Sequence, residues 1–537
     1  MSRLVPGLRL RLFLVLPLGL VLWLRMADPL GDRGLANVLS AALLILDALA
    51  ASAWLLFFSG YARRTRMKLA VGGCLLLAAL GLCFRLEGYT GELVPTFAWR
   101  FREEPARLAE EVGPNRAGSL RLARTDLDLR TTSVNDFPGF LGPHRDAHVE
   151  GVRLSRHWDT DPPRPVWRRA VGAGWSAFSV VNGYAVTMEQ RGQMEMVTAY
   201  DARRGELMWA FSQPGRYEHV LGGVGPRSTP TIADGKVYAL GATGRLWCLD
   251  GATGELIWEK DLLKEYGVSP EQEFANIQYG RSNSPLVAGD LLVVPAGGNK
   301  GGRIASLVAY RKDTGRRVWE AGQRQISFSS PVLATLLGVE QILIVNEDTI
   351  SSHHPATGSV LWEHPWPGVT SSNANVSQAV PVAPDGVLVS KGYGGGAERL
   401  QLIRREDGTF AVRVVWRSRG VLRTKFSNVV VLDDHVYGLS DGILECVDLE
   451  TGRRVWKRGR YHHGQILGVG DLLLVLSESG EVFLVEPTPS RANHILGHFQ
   501  ALEGITWNNI ALSGNLLLVR NAHEAGAYRL PLAHAGE

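Results

Sequence analysis

The sequence predicts an all-β fold, an eight-bladed β-propeller preceded by three transmembrane α-helices. Two observations carry this reading. Three apolar stretches fill the first 85 residues, and beyond residue 200 a turn followed by a strand ending in Trp keeps returning. At 537 residues the chain is too long for one ordinary compact domain unless that domain is a repeat array. Its 61 glycines and 26 prolines, scattered without a collagen-like period, fit many tight turns between short strands.

The apolar stretches run over 8–26, 35–61 and 69–84. The first and third are near the short limit of the ~17–25 residues that a span requires, and flanking arginines are able to snorkel and extend them. A cleaved signal peptide is the competing reading of the first stretch. However, Leu24-Arg-Met-Ala-Asp-Pro is a poor small-x-small cleavage site, and two more apolar stretches follow. Arg3, Arg9 and Arg11 precede the first stretch, and Arg63, Arg64, Arg66 and Lys68 separate the second from the third. Positive-inside logic then places the N-terminus in the cytoplasm and everything after Phe84 outside, in a multi-pass inner-membrane protein with its propeller in the periplasm. Asp47 is the single acid inside a span, read as a helix–helix hydrogen-bond partner or a proton or quinone site. The expected organisation is a membrane anchor over 1–85, a connector with a short helix within 97–111 over 86–160, and the propeller over 161–537.

The repeat is read from Asp201-Ala-Arg-Arg-Gly205-Glu-Leu-Met-Trp209 and Asp250-Gly-Ala-Thr-Gly254-Glu-Leu-Ile-Trp258. It continues through Asp313-Thr-Gly315 to Trp319, Thr357-Gly358 to Trp362, Asp407-Gly408 to Trp416, and Asp448-Leu-Glu-Thr-Gly452-Arg-Arg-Val-Trp456. The tryptophans stand about 40–60 residues apart, which suits four-stranded propeller blades with loop insertions. Asp caps each turn, Gly takes its left-handed position, and alternation sends Trp into the packing between blades. Two units near 465–499 and 510–530 keep the strand pattern without the Trp. The last unit stops three strands in, and Pro165-Val166-Trp167 supplies its missing outer strand, closing the ring and removing free edges.

These repeats resemble the quinoprotein-like family, whose blades carry an Asp-x-x-Thr-Gly-x-x-x-Trp tag; the second and sixth blades match it fully. Asp136-Phe-Pro-Gly-Phe-Leu-Gly-Pro-His-Arg-Asp146 is similar to the lead-in of bacterial PQQ-binding-like β-propeller repeat proteins. The resemblance implies the propeller fold closely and function loosely, because a fold hosts many functions. Its members include pyrroloquinoline quinone (PQQ) dehydrogenases and the propeller lipoprotein of outer-membrane protein assembly.

Loops leading into the innermost strands, with those between the second and third strands, should ring one mouth of the central channel. They place Arg191, Arg227, Arg281, Lys425, His463, Trp175, Trp507 and Asn508 there. Cations with flat indoles suit an anionic planar ligand, and PQQ with calcium answers that description. A water-filled channel with internally paired charges answers it equally. Quinoprotein dehydrogenation needs a cation held by hard oxygens and an acid to take the substrate proton. Glu189 is the best placed candidate for that catalytic role and Asp441 the second.

A formal charge of +4 without a dense basic run excludes a nucleic-acid partner. Cys74, Cys83, Cys248 and Cys446 form no Cys-x-x-Cys pair, which excludes zinc, iron–sulfur and c-type haem sites of the usual spacing. Two readings follow. One is a membrane-anchored binding or scaffold module, touching inner-membrane lipid and taking an envelope protein or anionic small molecule. The other is a PQQ-dependent oxidoreductase passing electrons from an alcohol or sugar to membrane quinone.

Overall fold

The computed structural model describes residues 8–27, 32–101, 117–122, 127–370 and 373–534, with side chains from Leu14 onward. It resolves into two units, Met1–Glu104 and Pro105–Glu537.

Unit one contains three helices: α1 (Leu8–Ala27), α2 (Arg33–Ala53) and α3 (Arg63–Cys83). Asp32 caps α2 by accepting hydrogen bonds from the amides of Gly34 and Leu35, at 2.7 and 3.4 Å. A π-turn, Trp54–Phe58, prolongs the helix until Ser59 closes it onto the Leu55 carbonyl at 2.6 Å. Of the three expected spans, two have candidate helices. Among the described residues, Arg33–Phe58 and Arg63–Cys83 are long and apolar enough to cross a membrane, and the described apolar part of the first helix, Leu14–Ala27, is shorter. The basic residues at 63–68 belong to the first turns of α3 rather than to a loop. Asp47 Oδ1 has no hydrogen-bond partner among the described residues. A two-stranded hairpin, Phe84–Tyr89 with Pro95–Trp99, follows α3 directly. That strand replaces the start of the helix expected within 97–111; residues 102–111 lie outside the described ones.

Unit two is an eight-bladed propeller of antiparallel four-stranded sheets. Blades 1 to 7 occupy 179–214, 231–261, 286–321, 332–365, 380–418, 430–460 and 465–500. Blade 8 combines 511–529 with the strand Arg164–Ala170, which pairs with Glu524–Arg529 as the closing strand. Blade 1 carries a fifth strand, Gly118–Arg121, on its outer edge, which covers an otherwise open row of backbone groups.

The recurring Gly and Trp prove to be one device. Trp209 donates Nε1–H to the Gly251 carbonyl of the next blade at 3.0 Å. Trp258, Trp319, Trp416 and Trp456 do the same to Lys312, Pro355, Leu449 and Thr488, and Trp167 closes the ring onto Ala202 at 2.9 Å. The indole faces of Trp167, Trp209, Trp258, Trp319 and Trp416 then lie on the glycine of that next turn. Gly254 has φ +75°, and a Cβ there would stand 2.6 Å from the Trp209 ring. Glycine is needed at that position for its backbone angle and for the room it leaves. Trp362 departs from the pattern, donating to Gln341 of its own blade at 2.8 Å.

The lead-in 136–149 runs across one end of the channel, contacting blade after blade. Phe137 bridges Val180 of blade 1, the Ile232 amide donates to the Pro138 carbonyl, and His148–Val149 pairs in parallel with blade 7. Arg145 from this segment is fully enclosed. Its guanidinium donates to the carbonyls of Pro331 (2.7 Å), Pro285 (2.5 Å) and Ser284 (3.3 Å), and its own carbonyl accepts from Gln378. It thus fastens blades 3, 4 and 5 with one side chain, and burial without a carboxylate lowers its pKa to about 9.

Candidate functional site

The mouth opposite that closed end is where the loops between blades are longest. They hold the hairpin Glu218–His219 with Gly223–Val224, and two short helices, Leu262–Tyr266 and Pro270–Asn276. An aromatic belt follows the rim. Trp175 and Trp507 pack against each other with centroids 4.6 Å apart and planes tilted by 35°, and Phe426 lies 5.2 Å from Trp507 and 5.6 Å from His463. Further round, Tyr279 lies 4.8 Å from His219 and 5.6 Å from Phe328. Both indoles are fixed at their edges, Trp175 donating to the Gly222 carbonyl and Trp507 to the Glu478 carboxylate, each at 2.8 Å.

Most of the cations expected to receive an anion have work elsewhere. Arg281 is fully buried, paired with Glu273 at 2.7 Å and donating to the Pro295 and Ala296 carbonyls. Arg191 pairs with Glu189 at 2.8 Å. Arg227 has no carboxylate partner, but it donates to the Tyr279 and Gly222 carbonyls at 2.8 and 2.5 Å, and burial lowers its pKa to about 10. Lys425 is buried with its ammonium 5.1 Å from the Tyr393 ring centroid. Burial, reinforced by nearby Lys425, holds the His463 imidazole neutral, well below its ordinary range. Asn508 staples blade 8 to blade 1, donating to the carbonyls of Gly174 and Ser176 at 3.2 and 2.8 Å.

The two candidate acids differ. Glu189 is fully buried; burial alone would raise its pKa, yet Arg191, Arg520, the Tyr200 hydroxyl and the Gly172 amide outweigh it and hold the carboxylate near 2. So low a pKa leaves it a poor proton acceptor at neutral pH. Asp441 pairs with Arg423 at 3.2 Å, and its pKa is raised by burial against the pull of Lys457 and Arg423. Two further groups line this mouth, and of these Glu478 escapes the sequence reading. Glu478 is a buried carboxylate holding Trp507, and the Lys391 ammonium stands 3.7 Å from the Trp366 ring centroid with its pKa lowered to about 8 by burial. Among the described residues no group of three or more His, Cys, Asp or Glu is placed to hold a metal ion.

Glu195 sits beside this mouth, its carboxylate accepting from the Ala242 amide of blade 2 at 2.7 Å, with burial raising its pKa to about 7. The folded protein therefore binds a proton that the unfolded chain releases between about pH 4.5 and 7, so stability is highest below that window and falls as pH rises through it. A shift of this size corresponds to about 3 kcal/mol. Glu195→Gln should flatten the fall, gaining stability at pH 8 relative to pH 4; urea melts at the two pH values measure it.

The description "Outer membrane protein assembly factor BamB" matches residues 193–458. The chain is a PQQ-like β-propeller repeat protein. Across 298 residues it is 22% identical to the outer membrane protein assembly factor BamB of Shewanella oneidensis, covering 52% of this chain and 68% of that one. It is 24% identical to the quinoprotein alcohol dehydrogenase PedH of Pseudomonas putida over 194 residues, 35% of this chain. The chain spans only 30% of that enzyme's length. A europium-containing methanol dehydrogenase superposes with a TM-score of 0.56 over 74% of this chain and 98% of its own, a likeness of fold at 12% identity. The residues of this PQQ-like propeller do not fit the quinone those enzyme names imply. The two indoles of the rim pack against each other, Arg191 and Arg281 are neutralised, and Arg227 is bound to backbone carbonyls.

Proposed function

We propose that the protein is a binding module held at the inner membrane by its N-terminal helices, with the propeller outside the cytoplasm taking an envelope protein on its open mouth. The observation that carries this is the packed Trp175–Trp507 pair: the rim presents its aromatic groups as a surface fixed by hydrogen bonds to Gly222 and Glu478. Beside it the rim exposes apolar side chains, Val220 at 75%, Phe274 at 47% and Leu221 at 37%. Large exposed aliphatics and aromatics on a rigid rim suit contact with another protein. The relatives named for outer membrane protein assembly favour the same class of partner. Arg63, Arg64, Arg66 and Lys68 in the first turns of α3 favour a cytoplasmic position for that helix end, and hence an external propeller.

The test places a photo-crosslinking residue at Val220 of the full chain in intact cells, with Val134, 88% exposed on the other end of the propeller, as control. The expected result is one reproducible adduct with an envelope protein from Val220 alone. Equal adducts from both positions, or none from Val220, overturn the proposal. So does a spectral change with PQQ and calcium accompanied by dye reduction with an alcohol, which would restore the oxidoreductase reading.

A further inference from the structure

The hairpin 84–99 has features that neither the propeller nor its mouth explains. Its base is tied to the end of α3: the Arg100 amide donates to the Cys83 carbonyl at 2.8 Å and Arg100 Nε to Gly81 at 3.1 Å. Its tip is tied to the start of α2, where Asn37 donates to the Glu92 carbonyl at 2.9 Å. The Leu93 side chain there packs so closely on Gly34 that an added Cβ would meet it at 3.3 Å. The ribbon therefore lies across one end of the helix pair, from the last turn of α3 to the first of α2, and is unable to swing free.

Its two faces differ sharply. Phe84 pairs with Trp99 and Leu86 with Phe97, so these four side chains share one face, while Arg85 opposite Ala98 lies on the other. Phe97 is 62% exposed, and Phe84, Leu86 and Trp99 are between 38% and 48%. Phe101, 74% exposed, extends the patch through a ring contact at 5.7 Å with Trp99, itself 5.2 Å from Phe84. An isolated two-stranded ribbon needs a second layer against its apolar face.

We infer that this second layer is lipid: the hairpin lies in the headgroup region of the bilayer, its aromatic face turned to the acyl chains. This rests on the reading of α2 and α3 as membrane spans. Continuity supports it, since Phe84 directly follows the last residue of α3. Trp and Phe are residues that settle at that depth, and the unpaired ribbon edges stay within reach of headgroup water, as open backbone requires.

The test uses the full chain with Cys74→Ala and Cys83→Ala in nanodiscs of phosphatidylethanolamine and phosphatidylglycerol. Nitroxides replace Phe97, Ala98 or, as a membrane marker in α3, Leu76. The expected result is a several-fold higher ratio of oxygen to nickel-chelate collisions at Phe97 than at Ala98, approaching the ratio at Leu76. Equal ratios at Phe97 and Ala98, with Leu76 lipid-embedded, overturn the hairpin proposal alone. A water-accessible Leu76 overturns the membrane reading and this proposal with it. If a label prevents insertion, Trp99→Phe decides: quenching of tryptophan emission by brominated lipid should fall, and unchanged quenching overturns the proposal.

Discussion

Replacing Glu189 with Gln should cost the propeller about 3–5 kcal/mol at pH 7, the usual penalty for breaking a buried ion pair by removing one partner. The carboxylate is enclosed and fully engaged. One oxygen accepts from Arg191 Nε at 2.9 Å and the Gly172 amide at 2.8 Å, the other from Thr198 at 2.9 Å and Tyr200 at 2.5 Å. Arg520, fully buried and donating to Thr187, Met188 and Gly172, leans on the same negative charge. Glutamine keeps the shape but leaves two guanidinium groups enclosed without an anion. The pH dependence carries a second signature. Because the folded pKa lies near 2 against an ordinary 4.5, the carboxylate stabilises the fold fully above about pH 4.5 and loses that contribution as pH falls through 2. Urea melts of both proteins from pH 7 down to 3 should therefore draw closer toward the acid end without meeting. A penalty under about 1 kcal/mol at pH 7 would contradict the assignment of Glu189 as a structural anion.

Arg145→Ala should cost about 3 kcal/mol or more, because it orphans several carbonyls inside the channel, each worth about 1–3 kcal/mol unless water replaces the guanidinium. The side chain reaches Ser284, Pro285 and Pro331, and losing it also unpins the segment that closes one end of the propeller. Arg145→Lys keeps the charge but lacks the planar fork that serves three carbonyls at once, so it should recover only part of the loss. Urea midpoints measure the global cost, and limited proteolysis between residues 130 and 150 reads the local release. Wild-type resistance in the alanine variant on both counts would show that the segment holds without its peg.

The fold was legible because the tag is itself the latch between blades. Asp, Gly and Trp recur since the turn, its left-handed glycine and the indole resting on it are made by neighbouring residues and the adjacent blade. Trp167 belongs to that latch too, which explains why an isolated Pro-Val-Trp completed the eighth blade. The candidate site was legible as a set of residues but not as a set of pairs. Glu189 and Arg191 stand two apart on one strand, a spacing that puts both on the same face and would have betrayed their pairing. Arg281 gave no such signal, because Glu273 comes from a short helix inside an insertion. Arg145 gave none either: the hydrogen-bond partners of its side chain lie 86 to 186 residues away along the chain.

The closing strand has a consequence for how the protein is made. Arg168 meets Glu524 across 356 residues of chain. At synthesis rates of about 5–20 residues per second, the strand that seals the ring waits roughly 20–70 s for its neighbour to emerge from the ribosome. During that interval seven blades can form in sequence while Arg164–Ala170 remains an unpaired edge. A stop codon anywhere before the last blade therefore releases an open ring, with that edge unpaired, rather than a smaller closed one.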